Sequence, residues 1–362
     1  MSKKNVCFMA QFPPPIHGLS KAVDTLYNSN LTDEFEFENV NLTNNKKFVQ
    51  TIFSILKSKA DLFYFTISQS KGGNIRDLIL LNLLRFRKKK CLIHLHGGYF
   101  RQLVDNDMGS IQRKFNLKAI SKLEGVIVLS KSLKSIFEGM IDDEKIHIVS
   151  NCVDDEYLMS DEDFKDKRKI FEQKEIYNVL YLSNFIRTKG YPEVLELARL
   201  EKIRCESGGI KRFHFNFAGK FFEKVEETYF FKYIKDNALE DYVTYHGVVD
   251  GDQKRQLLKD NDIFMLLTRY PIEGQPISIL EAMGNGMVIV TTNHAGIPDI
   301  VEKGVHGFIS TNNNISEIEN WLLENISYFP KISEQNRLEI KKNYTEDVYL
   351  SNMKDVFRKC SL

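Results

Sequence analysis

Short, nearly continuous apolar runs recur along this 362-residue chain, separated by stretches with helical spacing. In the first half they read NVCFMA, FEFENVNL, DLFYFTI, KCLIHLH, GVIVLS and KIHIVS. The second half repeats the pattern with NVLYLS, FHFNFA, VTYHG, IFMLL and VIVTT, and TTNHAGIPDIVEKGVHGFIS supplies a last strand pair. Strands that are apolar on both faces and alternate with helices belong to mostly parallel sheets covered by helices on each side. The duplication predicts an α/β chain of two doubly wound, Rossmann-like sheets, and the length suffices for two cores. Ligands of such sheets bind beyond the carboxyl ends of the strands, so function is sought in the loops that follow them.

The densest chemistry follows the run IFMLL, in the stretch Ile263 to Thr292. A turn segment carrying Glu273, Gly274 and Gln275 leads to a short helix expected to open at Pro276, and Gly-punctuated residues then lead into VIVTT. Proline in the first turn leaves the next amides, those of Ile277 and Ser278, without intrahelical partners, at the end where partial positive charge collects. A diphosphate can bind there. Glu281 lies about 7.5 Å further along the helix. Two acids flanking a diphosphate can hold hydroxyls on either side of it, which is the shape of a nucleotide sugar. A purely structural reading also exists: Ser278 and Glu281 spell a capping box, and an early glutamate suits the helix dipole without any ligand.

The segment EGQPISILEAM resembles the E-x7-E signature of retaining glycosyltransferases of family 4, which have the GT-B fold, and the resemblance extends over nearly the whole chain. It implies two Rossmann-like domains facing across a cleft. Donor hydroxyls would fall to Glu273 and ribose hydroxyls to Glu281, with Gly274, Gln275, Pro276, Ile277 and Ser278 near the diphosphate. In NVLYLSNFIRTKGYPEVL, Arg187 and Lys189 place two cations at a strand end, where fixed charge stabilises a leaving diphosphate more than the ground state. The family usually shows G-R-L-x-x-x-K-G here. Lys189 and Gly190 carry over, Ser183 and Asn184 stand where Gly and Arg are usual, and Arg187 is the candidate replacement from a shifted position.

Other loops extend the resemblance. In QFPPPIHGLSKAVDTL, three prolines stiffen the loop and Gly18 precedes a helix aimed at the ligand side. In HLHGGYFR, His94 falls inside the alternating run and His96 at its end, where the family places a residue near the transferred sugar. Gly219 and His246 lie at strand ends that correspond to the nucleotide base, and Gly296 and Ile297 form another loop near the donor. Each has a plain alternative as a glycine turn or a packed strand histidine.

Charge is balanced, with 50 basic against 49 acidic residues, so nothing in the whole chain favours nucleic acid. Five scattered cysteines, Cys7, Cys91, Cys152, Cys205 and Cys360, have no C-x-x-C spacing and read as reduced thiols. Three D-x-D spellings, at Asp105, Asp250 and Asp260, each open or close a helix and read as caps, so no metal or other cofactor is expected. The start of the chain does not read as a signal peptide, and no apolar run approaches the roughly 20 residues that span a bilayer. A cytoplasmic protein is expected, with attachment to the inner face of the cell membrane left open. LLRFRKKK, with Arg85, Arg87, Lys88, Lys89 and Lys90, is either a solvated helix end or a patch for anionic lipid.

The expected domains are residues 1–165, joined by a C-terminal helix over 345–362, and residues 175–340. The charged stretch SDEDFKDKRKIFEQKE lies between them as connection and hinge, after the turn VSNCVDDEYL. The expected activity is transfer of a hexosyl-type sugar from a nucleotide-diphosphate donor to a glycan or lipid-linked saccharide in surface polysaccharide synthesis. Retention of anomeric configuration and independence of metal are what the resemblance implies. A GT-B sugar-nucleotide epimerase and a non-catalytic nucleotide-sugar binding module remain as alternatives. A nicotinamide-dependent dehydrogenase is disfavoured, because neither half has G-x-G-x-x-G after its first strand.

Overall fold

The computed structural model describes residues 3–14, 18–171 and 173–361. Each of the predicted apolar runs forms a strand, and the strands make two six-stranded parallel sheets. The first contains β1 (Lys4–Ala10), β2 (Phe35–Asn41), β3 (Leu62–Thr66), β4 (Lys90–His94), β5 (Gly125–Val128) and β6 (Ile146–Ile148), in the order β2-β1-β3-β4-β5-β6. Its helices are α1 (Gly18–Tyr27), α2 (Phe48–Lys57), α3 (Lys71–Phe86), the single turn α4 (Phe100–Gln102) and α5 (Ser110–Ile120). Every residue of β3 and β5 is buried, as expected for strands covered on both faces.

The second sheet contains β7 (Tyr177–Leu182), β8 (Phe213–Ala218), β9 (Val243–Tyr245), β10 (Ile263–Leu266), β11 (Val288–Thr292) and β12 (Gly307–Ser310), in the order β12-β11-β10-β7-β8-β9. Its helices are α6 (Asp161–Phe171), α7 (Tyr191–Glu206), α8 (Lys224–Asp236), α9 (Gly251–Asp260), α10 (Ile277–Gly284), α11 (Ile315–Glu324) and α12 (Phe329–Asn343). The chain winds outward from β7 through β8 to β9, then returns to place β10 on the other side of β7, with Ile263 beside Val179 and Phe264 beside Leu180. The adjacent strands β7 and β10 therefore flank the point where strand order reverses, and loops leaving their carboxyl ends diverge around a crevice.

Residues 1–151 and 347–362 form one compact unit, and residues 152–346 form the other. The last helix, α13 (Glu346–Ser361), belongs to the first unit over nearly all its length. Its Phe357 packs edge-on against Phe8, Phe35 and Tyr64, and Lys354 and Arg358 both reach Glu34.

The expected connection at 160–175 is corrected by the structure. That stretch folds as α6 within the second unit, and the chain crosses between units earlier, after Asn151. Physical anchors explain the difference. Phe164 and Phe171 are buried, the Lys167 ammonium donates to the carbonyls of Asn261 and Asn285, and Arg168 pairs with Glu334 at 2.9 Å. A charged sequence with apolar residues at helical spacing is an amphipathic helix.

Candidate active site

The loops after β7 and β10 are laced together. Gly190, at φ +87°, separates Lys189 from α7, and a Cβ there would lie 2.4 Å from the Leu267 carbonyl oxygen, so both the backbone and the space require glycine. The Arg269 amide donates to the Thr188 carbonyl at 2.6 Å. Across this junction Lys189 Nζ lies 2.6 Å from Glu273 Oε2, with only 14% and 9% of the two side chains exposed. Thr268 Oγ1 donates to the same oxygen at 3.2 Å, and the lysine sits 4.8 Å from the centre of the Tyr270 ring. The loop after β11 supports this turn from behind. Gly296 donates to the Gly274 carbonyl, Thr292 to the Thr268 carbonyl, and His294 Nε2 to the Tyr270 carbonyl.

The helix α10 opens directly after this group. Pro276, the expected first helical position, is instead the N-cap at ψ 116°, and the helix starts one residue later at Ile277, because the extended ψ leaves the proline outside it. The consequence drawn from the sequence survives the shift: among the described residues the amides of Ile277 and Ser278 have no hydrogen-bond partner, while Ile279 donates to the Pro276 carbonyl. The capping-box reading fails for the same reason, since Ser278 lies inside the helix and no side chain caps it. Gln275 and Pro276 are buried.

Glu281, 4% exposed, projects from α10 to Lys254 on α9, with Nζ 2.6 Å from Oε1. No sequence pattern pointed to this lysine. The C-terminal end of α10 is fixed by Asn285, whose side chain donates to the Tyr157 and Glu281 carbonyls and accepts from the Met159 amide. Arg337, 5% exposed, donates to the Gly284 and Met159 carbonyls. The sequence reading missed these supports as well, because they join segments far apart along the chain.

Several expected site residues lie elsewhere or are engaged differently. Arg187 is turned to α8, where Nε donates to Glu226 Oε1 at 3.3 Å and the guanidinium lies 4.4 Å over the Tyr229 ring, so the structure does not group it with Lys189 and Glu273. Asn184 is exposed at the β7 exit, and its carbonyl accepts from the Tyr181 hydroxyl. Gly219, at φ +144°, brings its backbone so close to Ser183 that a Cβ would lie 1.9 Å from the Ser183 oxygen. His246 is bound to Asn216 Oδ1 at 2.9 Å, and partial burial lowers its pKa.

In the first unit, Gly18 is the first residue of α1, while Pro15, Ile16 and His17 of the expected proline-stiffened loop lie outside the described residues. His94 is fully buried and its Nδ1 meets the Tyr64 hydroxyl at 2.7 Å, in keeping with a packed strand residue. Burial pushes its pKa well down. His96 follows the strand half-buried, its ring 3.9 Å from that of His94. The basic segment is partly committed to the fold, since Arg87 donates to the Ile55 carbonyl and Lys89 to the Ala60 carbonyl. Of the D-x-D carboxylates, Asp250 is a cap as expected, on α9 through the Gly251 amide, whereas Asp105 and Asp262 are engaged in ion pairs, Asp105 with Arg101 and Arg113 and Asp262 with Lys174.

Residues 161–337 match the family described as glycosyl transferases group 1. An uncharacterized glycosyltransferase of Methanocaldococcus jannaschii is 26% identical over 332 residues, covering 87% of this chain and 79% of its own. A putative colanic acid biosynthesis glycosyltransferase of Salmonella typhimurium is 33% identical over 95 residues, covering 25% of this chain and 23% of its own. The crystal structure of Anabaena HepE in complex with UDP superimposes with a TM-score of 0.74 at 16% identity, covering 98% of this chain and 99% of that one. At such identity the structural likeness shows a shared fold.

Proposed function

We propose that this chain, a glycosyltransferase of GT-B fold, moves a hexosyl-type sugar from a nucleotide-diphosphate donor to a glycan or lipid-linked saccharide in surface polysaccharide synthesis. The observation that carries the donor assignment is the grouping of Lys189, Glu273 and two unpartnered helix amides where β7 and β10 diverge. The diphosphate lies across the amides of Ile277 and Ser278, which supply fixed dipoles. Glu273 accepts hydrogen bonds from sugar hydroxyls and Glu281 from ribose hydroxyls. Lys189, held at Glu273, sits between sugar and diphosphate. As the glycosidic bond breaks, negative charge grows on the diphosphate, and a preorganised ammonium in a dry site stabilises that charge. Positive charge from Lys189 and the helix lets the reaction proceed without a metal. Retention of configuration is proposed on the family resemblance, and no side chain is assigned as a covalent nucleophile.

The acceptor is assigned to the first unit, with His96 and Gly18 as its candidate contacts. The relation to colanic acid synthesis of a similar protein supports a surface glycan as product. No helix among the described residues is long and apolar enough to cross a membrane. A cytoplasmic enzyme that meets a lipid-linked acceptor at the inner membrane face, through Arg85, Lys88 and Lys90, fits this reading.

A panel of nucleotide sugars tests the proposal. The true donor raises the melting temperature, since a ligand at 100 times its dissociation constant adds about 2.7 kcal/mol. Nucleoside diphosphate is then released only when acceptor is present. Binding without turnover on any acceptor would leave a binding module, and interconversion of donor sugars without acceptor would make the protein an epimerase.

A further inference from the structure

Lys254 is engaged with the acid assigned above to the ribose, and its surroundings hold it there. The ammonium lies 2.6 Å from Glu281 Oε1, with 19% and 5% of the two side chains exposed. The Tyr157 ring covers it at 3.8 Å from ring centre to Nζ, close enough for a cation–π contact. That ring is fixed at two points. Its hydroxyl donates to Asp250 Oδ1 at 3.0 Å, and its main-chain carbonyl accepts from Asn285 Nδ2 at 2.7 Å. Asn285 closes the circuit, because its own amide donates to the Glu281 carbonyl at 3.1 Å. Three segments, the turn at 155–157, α9 and α10, thus converge on one lysine–glutamate pair.

A nearly buried carboxylate beside a diphosphate faces two penalties, its own desolvation and repulsion from the phosphates. A lysine pinned to one of its oxygens offsets both, and a carboxylate with about four acceptor positions can still receive hydroxyls. We infer that Lys254, clamped under Tyr157, is a positioning residue for nucleotide binding: it aims Glu281 at the ribose and cancels its charge against the diphosphate. This rests on the reading of Glu281 as the ribose acid.

UDP, GDP and ADP are titrated calorimetrically into the wild type, Lys254→Met, Lys254→Arg, Tyr157→Leu, Glu281→Gln and the Lys254→Met/Glu281→Gln double variant. The nucleotide that binds the wild type best serves as probe. Lys254→Met is expected to weaken it about tenfold or more, the size of one strong coupled contact, and to raise the donor KM in step while kcat stays within about threefold. Lys254→Arg recovers most of the loss, Tyr157→Leu loses part of it, and the double variant binds no worse than Glu281→Gln alone. A lowered melting temperature with unchanged affinity, or losses that multiply in the double variant, would overturn the inference. Wild-type binding by Glu281→Gln would overturn the ribose reading itself. Weak binding by Glu281→Gln alongside normal binding by Lys254→Met would overturn only the role of Lys254, and failure of all three nucleotides to bind the wild type would overturn both.

Discussion

Replacing Lys189 by alanine separates the structural from the chemical role of the pair at the candidate site. The ammonium and the Glu273 carboxylate are 2.6 Å apart and largely shielded from water. Removing one partner of a buried pair costs about 3–5 kcal/mol, because the other charge stays behind desolvated. Some water reaches Lys189, and Glu273 keeps its bond from Thr268, so the low end of that range, about 3 kcal/mol, applies here. At about 2–4 °C per kcal/mol for a unit of this size, the melting temperature falls by about 6–12 °C. Removing both charges in Lys189→Met/Glu273→Gln restores most of that stability, since neutral groups of similar volume carry no stranded charge. Turnover behaves differently. It falls by about 100-fold or more in Lys189→Ala, Glu273→Gln and the double variant alike, because each loses a preorganised contact to the donor. Thermal melts paired with a nucleotide-release assay read both quantities. Stability losses that simply add in the double variant would rule out a stranded charge, and wild-type turnover in any of the three would rule out a role for the pair in the reaction.

Arg187→Ala should change turnover by no more than about threefold and stability by no more than about 1 kcal/mol, because its partners Glu226 and Tyr229 form a half-exposed surface group. A 100-fold loss of turnover would return Arg187 to the diphosphate. Burial lowers the Lys167 ammonium to about 8 from 10.5, so between those values the unfolded chain binds more protons and stability rises with pH. Relative to Lys167→Met, the wild type should gain about 3 kcal/mol across that window, and a flat difference in denaturant unfolding would contradict the assignment. Neutralising Arg85, Lys88 and Lys90 together should weaken sedimentation with phosphatidylglycerol vesicles, each charge contributing about 1 kcal/mol near anionic lipid. Unchanged binding would remove the membrane from the account.

Strands were legible because a parallel strand covered on both faces must be apolar throughout, and runs such as LFYFT and IFML contain almost nothing else. The helix carrying Glu281 was legible because Pro276 and the Gly-punctuated exit bound it on both sides, although ψ at the proline moved its start by one residue. Lys189 was singled out as a cation at a strand end that matches the K-G of the family pattern, and the structure sets it beside Glu273. What escaped was long-range. Lys254 meets Glu281 only through the packing of α9 on the end of the chain turn at Tyr157, and neither residue announces the other locally. The direction of Arg187 was not legible, because spacing tells how close two residues are in the chain but not which way a side chain leaves a 3₁₀ turn, and Glu226 with Tyr229 offers it partners on α8. The stretch at 161–171 looked like a connection because charge dominates its composition, while its two buried phenylalanines and Lys167 tie it into the second unit.

A crystal structure of the protein with its nucleoside diphosphate shows directly whether the ligand lies across the start of α10. Phosphate oxygens are expected within hydrogen-bond distance of the Ile277 and Ser278 amides, the ribose hydroxyls on Glu281, and Lys189 beside the terminal phosphate. A nucleotide bound at another place, with Glu273 still paired to Lys189 and Glu281 to Lys254, would contradict this placement.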